Sequence, residues 1–305
     1  MEVKTISYQD LEWINIDKST PEAIDFLREN FDFHPLDFED VQEKNVTPKI
    51  DVYEEYLFLV LQYPWWCSEE EKIKYNELHI FLGDGYLITI QQNGANETEA
   101  LFQACKEDKK IKQKWMKSSS GFLLYNILEN VFQQRRTILN KIGRKVSDIE
   151  EEVFAGEQNT KTIKKIAQYR RSILTIRRII DPQRYLVSKL AHIRKPFLGE
   201  ELEIYFDDIS DYMKKLWAVV ENYKDTISGL HITVESLIDQ RTNKIIQALT
   251  IASVAFMPPT LLAGIFGMNI ELPFQNQPSI VWSMYGVIFI LVVVAILGMK
   301  RKKWL

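Results

Sequence analysis

Cysteine is almost missing from this 305-residue chain, which has only Cys67 and Cys105. They are too far apart for a Cys-x-x-Cys pair and too few for a disulfide framework, so a reducing cytosol suits the polar part of the chain. Histidine is also scarce. His34, His79, His192 and His231 are scattered, with no HExxH pair and no cysteine at metal-ligand spacing, which excludes a recognisable zinc site. No nucleophile–base constellation is present either, so an enzyme is not expected. The first thirteen residues carry Glu2, Lys4, Asp10 and Glu12 and no apolar run. No signal peptide is expected there, and nothing sends the N-terminus across a membrane.

The most telling shortage is of charge. Between Lys244 and Lys300 lie 55 residues with one charged side chain, Glu271. Ile245 to Ile270 is 26 residues without a charge, about 39 Å as a helix and enough to cross a hydrocarbon layer of ~30 Å. A second apolar run, Leu272 to Met299, has its strongest part at Val281 to Met299. Lys300, Arg301, Lys302 and Lys303 follow it directly, and a short basic flank stays cytoplasmic. Two crossings then place residues 1–244 and both termini in the cytoplasm, and a multi-pass protein of the cell (inner) membrane is expected. Upstream of the spans remain 34 basic and 41 acidic residues, a balance that disfavours nucleic acid as a partner.

The expected fold class is α+β. Residues 1–112 read as an α/β domain, because Asp51 to Gln62 and Leu78 to Gln91 are rich in β-formers and Gly83-Asp84-Gly85 is a hairpin signal. Residues 113–200 read as helical, with Leu123, Ile127, Val131 and Ile138 at helical spacing as far as Ala155-Gly156. A second helix from about Asn159 to Lys195 is expected to bend near Asp181-Pro182. It carries eleven basic residues against one acid, expected to pair with the acidic helices on either side, especially Glu200 to Asp211.

Residues 201–268 read as one long helix continuing into the first span. An apolar seam runs through Tyr205, Ile209, Tyr212, Leu216, Val219, Tyr223, Ile227, Leu230, Val234 and Leu237. The same steps continue as Asn243, Ile246, Thr250, Ser253, Met257, Thr260, Gly264 and Gly267. A face of small and polar residues within an apolar span either packs tightly on another helix or lines water. One such helix cannot enclose a pore, so a channel requires a ring of copies. Residues 269–280 then form an external loop, 281–299 the second transmembrane helix and 300–305 a basic cytoplasmic tail. Composition and periodicity leave two roles open, a channel and a membrane tether or sensor.

Specific motifs add a resemblance. Phe256-Met257-Pro258-Pro259-Thr260, Ala263-Gly264 and Phe266-Gly267-Met268-Asn269 stand at the end of the first span, and Lys302-Lys303-Trp304-Leu305 ends the chain. Upstream are Phe33-His34-Pro35-Leu36 with Glu39-Asp40, Pro48-Lys49-Ile50 with Tyr53, and Tyr205-Phe206-Asp207-Asp208. The chain resembles the CorA family of magnesium and cobalt transport channels over almost its whole length. The resemblance implies a homopentamer with a cytoplasmic funnel, long helices around one axial pore, and transport of Mg2+, with Co2+ or Ni2+ as further cargo. It implies Asn243, Leu249, Met257, Thr260 and Gly264 along the pore and Gly267, Met268 and Asn269 as the selectivity filter. It also implies regulatory magnesium held between subunits by Asp40 and Asp208, so that intracellular magnesium gates the pore. Glu271, just outside, can concentrate cations at the mouth. Partners are then further copies of the chain, membrane lipid and divalent metal ions. Pro259 and Ile246 depart from the residues common in relatives. A zinc transporter of the same superfamily is the nearest alternative.

Overall fold

The structure is a computed structural model and describes residues 3–44, 46–91, 96–156, 160–199, 201–268 and 277–301. The chain divides into two units, Met1–His231 and Ile232–Leu305.

The first unit is built on a six-stranded sheet. Its strands are β1 (Val3–Tyr8), β2 (Leu11–Ile16), β3 (Lys49–Val52), β4 (Tyr56–Cys67), β5 (Lys72–Gly83) and β6 (Tyr86–Gln91). Their order across the sheet is β1-β2-β6-β5-β4-β3, antiparallel except for the parallel β2–β6 pair. Strand β4 opens with the unbroken apolar run Tyr56-Leu57-Phe58-Leu59-Val60-Leu61, buried throughout. Such a run belongs to a strand covered on both faces. One face carries Ile14, Phe58, Val60, Phe81 and Ile88, packed with Ile24 and Leu27 of α1 (Pro21–Asn30) and Phe38 and Val41 of α2 (Pro35–Gln42). On the other, Trp13 meets the ring of Phe102 edge-on at 5.1 Å, from α3 (Asn96–Glu107). The β5–β6 hairpin turns at Gly83-Asp84-Gly85 as its sequence predicts, and Gly85 adopts φ +75°, which favours glycine.

Helix α4 (Lys109–Met116) leads into α5 (Ser120–Phe154), capped by Ser119, whose hydroxyl accepts from the Phe122 amide. At its start the Gly121 amide bonds the Phe197 carbonyl at 3.1 Å. A Cβ on Gly121 would lie 2.8 Å from that oxygen, so the close approach requires glycine. Helix α6 (Thr160–Ala191) continues through Pro182. Its cations reach both neighbours: Lys165 pairs with Glu152 of α5, and Arg177 with Glu221 of α7 (Leu202–Phe266). Beyond α6, Arg194 pairs with Glu203 at 2.7 Å. The expected pairing with Glu200 to Asp211 is narrower than predicted. Among the described residues Asp207 and Asp208 form no ion pair, and Asp211 pairs with Lys214 of its own helix.

The stripe that α7 buries in this unit is rotated from the predicted seam. Tyr205 and Val219 are exposed, and Phe206, Met213 and Val220 are buried in the company of Ile209, Leu216 and Ile227. Tyr205 lies beside Tyr125 of α5, ring centroids 5.0 Å apart. Its amphipathic ring satisfied the 3.6-residue period without needing full burial.

The second unit holds the end of α7, from Ile232 to Phe266, and α8 (Pro278–Arg301). Among the described residues α7 is the one helix long and apolar enough to cross a membrane, and Pro278–Val294 is a shorter apolar stretch.

Candidate ion path and a carboxylate cluster

Helix α7 is charge-free from Ile245 to its end at Phe266. Its predicted pore positions Asn243, Leu249, Met257, Thr260 and Gly264 are all exposed, as are Gly267 and Met268 just beyond it. Three hydroxyls in this stretch bond the helix's own backbone. Thr250 donates to the Ile246 carbonyl at 2.8 Å, Ser253 to Leu249 at 2.9 Å and Thr260 to Phe256 at 2.7 Å. Each hydroxyl is thereby compatible with an apolar surrounding while its oxygen can still accept from water. Pro258 and Pro259 sit inside the helix and lack the amides that would bond the Val254 and Ala255 carbonyls. Those two carbonyls remain to be satisfied by a neighbouring helix or by water. Asn269, Glu271 and the tail residues Lys302 and Lys303 lie outside the described residues.

A second locus lies in the first unit, around Asp40. Helix α2 begins at His34, whose ring nitrogen accepts from the Leu36 amide, with Pro35 in its first turn. The helix thereby presents Asp37 and Asp40 towards the edge strand β3. One carboxylate oxygen each from Asp37, Asp40 and Asp51 lies within 4.8 Å of the other two. Asp37 is fully buried and takes the hydroxyl of Tyr53 at 2.9 Å on one oxygen and that of Tyr56 at 2.6 Å on the other. The Tyr56 oxygen in turn accepts from the His34 amide at 2.8 Å, and the ring of His34 lies along that of Tyr53. Burial raises the Asp37 carboxyl above its ordinary range, against the two tyrosine donors. Burial and the Asp37 hydrogen bond together push Tyr53 up to about 12.

Lys49 fills the space between the other two acids. Its Nζ lies 2.6 Å from Oδ2 of Asp40 and 2.6 Å from Oδ2 of Asp51, and 5.6 Å from the centre of the Phe58 ring. Burial opposes the ammonium, but its bonds to the two carboxylates outweigh that and hold it above the ordinary lysine range. Val60 joins Lys49 to His79 in one row across the sheet. His79 is fully buried, and burial lowers its imidazole to about 4.

The structure thus brings Asp40 together with Asp37, Asp51 and Lys49. Sequence reading missed Asp37 and Asp51 because their relation to Asp40 depends on β3 folding beside α2. The β-forming run from Asp51 and the Pro48-Lys49-Ile50 and Tyr53 motif pointed to the strand but not to its neighbour. Asp208 is exposed on α7, where its negative charge helps raise the Tyr125 hydroxyl, though burial is the larger cause.

The chain is similar to known proteins over nearly its whole length. A family profile described as "CorA-like Mg2+ transporter protein" matches residues 8–301. The cobalt/magnesium transport protein CorA of Thermotoga maritima is 26% identical over 299 residues, covering 96% of this chain and 83% of that protein. The structure titled as the complete CorA magnesium transporter from Methanocaldococcus jannaschii superimposes with a TM-score of 0.79 at 22% identity, over 95% of this chain and 92% of that one. The zinc transport protein ZntB of Yersinia pestis is 22% identical over 189 residues, 62% of this chain and 57% of its own length. With the profile spanning nearly its whole length, the chain belongs to the CorA-like Mg2+ transporter family.

Proposed function

We propose that the protein is a homopentameric channel that carries Mg2+, and Co2+ or Ni2+ with it, across the cell membrane. Two helices per subunit, α7 and α8, cross the bilayer, with both termini on the cytoplasmic side. The observation that carries this reading is the end of α7 itself. At three- and four-residue steps the chain exposes Asn243, Ile246, Thr250, Ser253, Met257, Thr260, Gly264 and Gly267, all but the first in a stretch free of charge, and it matches a transporter family from residue 8 to residue 301. Five copies of that face around one axis enclose a path lined by hydroxyls, an amide and backbone carbonyls.

Magnesium gives up its water reluctantly, so neutral oxygens that recognise the hydrated ion suit its passage better than a carboxylate ring that would hold it. Gly267, Met268 and Asn269 are assigned the selectivity filter, and Glu271 draws cations to the outer mouth. Leu249 and Met257 close the path by excluding water. Asp40 of one subunit and Asp208 of the next hold a regulatory Mg2+. The donors around Asp40 are all carboxylate oxygens and the Lys49 ammonium already seats a positive charge there, so the residues present fit a hard cation. Metal bound there favours the symmetric closed state through its higher affinity for it.

A zinc transporter is the alternative that the likeness to ZntB keeps in view. Uptake by the purified protein in liposomes, comparing Mg2+, Co2+, Ni2+ and Zn2+, decides between them. Mg2+ uptake supports the proposal. Uptake of Zn2+ alone replaces it, and uptake of none leaves a tether or sensor.

A further inference from the structure

We propose that Lys49 is a tethered competitor for the cation at Asp40, and so sets how much divalent metal is needed to bind there. The inference rests on the reading of Asp40 as a regulatory ligand. The Lys49 ammonium occupies the position between Asp40 of α2 and Asp51 of β3, 2.6 Å from one oxygen of each. Asp37, the third acid, is committed to the hydroxyls of Tyr53 and Tyr56. A metal arriving at Asp40 therefore meets a single seated positive charge, which it must displace or bind against. Displacement is physically open, because the Lys49 side chain is 35% exposed and its stem can carry the charge outwards to water.

A group tethered to its own site competes at an effective concentration on the order of millimolar. A free divalent ion then binds with its intrinsic dissociation constant raised by the factor that the seated Lys49 imposes. Lys49 thus weakens the site and raises its midpoint, without touching the ion that passes through the pore. It also returns to Asp40 and Asp51 when the metal leaves, which spares the empty site from two uncompensated carboxylates.

The test is Mg2+-dependent protection of the full-length protein from chymotrypsin, with direct Mn2+ binding followed by electron paramagnetic resonance. Lys49→Met should lower both midpoints about fivefold or more, the scale of one half-exposed unit charge beside a carboxylate. Lys49→Arg, which keeps the charge, should stay within about twofold of the parent on the same scale. Lys49→Gln repeats the measurement with a polar side chain should the methionine variant not fold. Unchanged or raised midpoints in the neutral variants, with Asp40→Asn still losing protection, would overturn the role of Lys49 while leaving Asp40 in place. Full protection and Mn2+ binding in Asp40→Asn would overturn the regulatory assignment itself, and the competitor role with it.

Discussion

The imidazole of His79 lies parallel to the ring of Phe58, 7° from coplanar and with centroids 6.1 Å apart, and among the described residues neither of its nitrogens has a hydrogen-bond partner. A histidine in this position is a neutral core residue, and its cost appears on acidification. Its folded-state value, about 4, lies below the unfolded value of 6.5, so the unfolded chain binds the proton more readily. The stability it contributes is complete above pH 6.5 and is lost as pH falls towards 4. The loss across that window is on the order of 3 kcal/mol. His79→Phe should flatten this part of the stability–pH curve of the full-length protein, as read by thermal unfolding. An unchanged slope would show that other groups set it.

Gly121→Ala tests a close backbone approach. The added methyl gains up to about 1 kcal/mol of helix propensity. It also meets the Phe197 carbonyl and the Leu198 Cα, at 2.8 and 2.9 Å. Because both obstacles are backbone atoms, we expect a net loss of about 1–3 kcal/mol and a lower melting temperature. A stabilised variant would show that the 193–199 connection yields easily.

Much of this fold was legible from local pattern. The β4 run, the Gly83-Asp84-Gly85 turn and the helical period from Leu123 onwards each carry a signal within a few residues. Strands β1 and β2 were not read, although Gln9 turns them with φ 54°. Their charges Lys4 and Glu12 mask the alternation, and β2 is ordered by its parallel partner β6, some 75 residues away. The rotation of the α7 stripe had a similar cause, since Tyr205 and Phe206 both satisfy the period and both meet Tyr125 of α5, and only the tertiary fold buries Phe206 and leaves Tyr205 exposed. At the candidate sites, motif resemblance pointed to Asp40, Asp208 and the end of α7. The tyrosine-held Asp37 and the seat of Lys49 required the fold.

The hydrophobic gate assigned to Leu249 predicts that a polar side chain there lets water remain in the closed path. Leu249→Asn and Leu249→Asp should leak in liposomes at Mg2+ concentrations that silence the parent. Closure as tight as the parent's would place the gate elsewhere on α7.

Regulation through Asp208 predicts that millimolar Mg2+ protects the parent strongly from protease, and protects Asp208→Ala and Asp208→Lys weakly or without dependence on Mg2+. The competing role is that Asp208 only balances the basic α6. In that case Asp208→Ala would keep its full Mg2+-dependent protection and lose stability equally at every Mg2+ concentration, and the regulatory assignment would be withdrawn.

The most direct test of an ion path ending at Gly267-Met268-Asn269 is Mg2+ flux through purified Asn269→Ala in liposomes, beside the parent. The substitution removes an amide oxygen from each subunit and leaves the face of α7 from Asn243 to Gly267 intact. An ion path ending there predicts pentamers that assemble as the parent's do and no longer pass Mg2+. Parental Mg2+ flux through a well-assembled Asn269→Ala pentamer would contradict it.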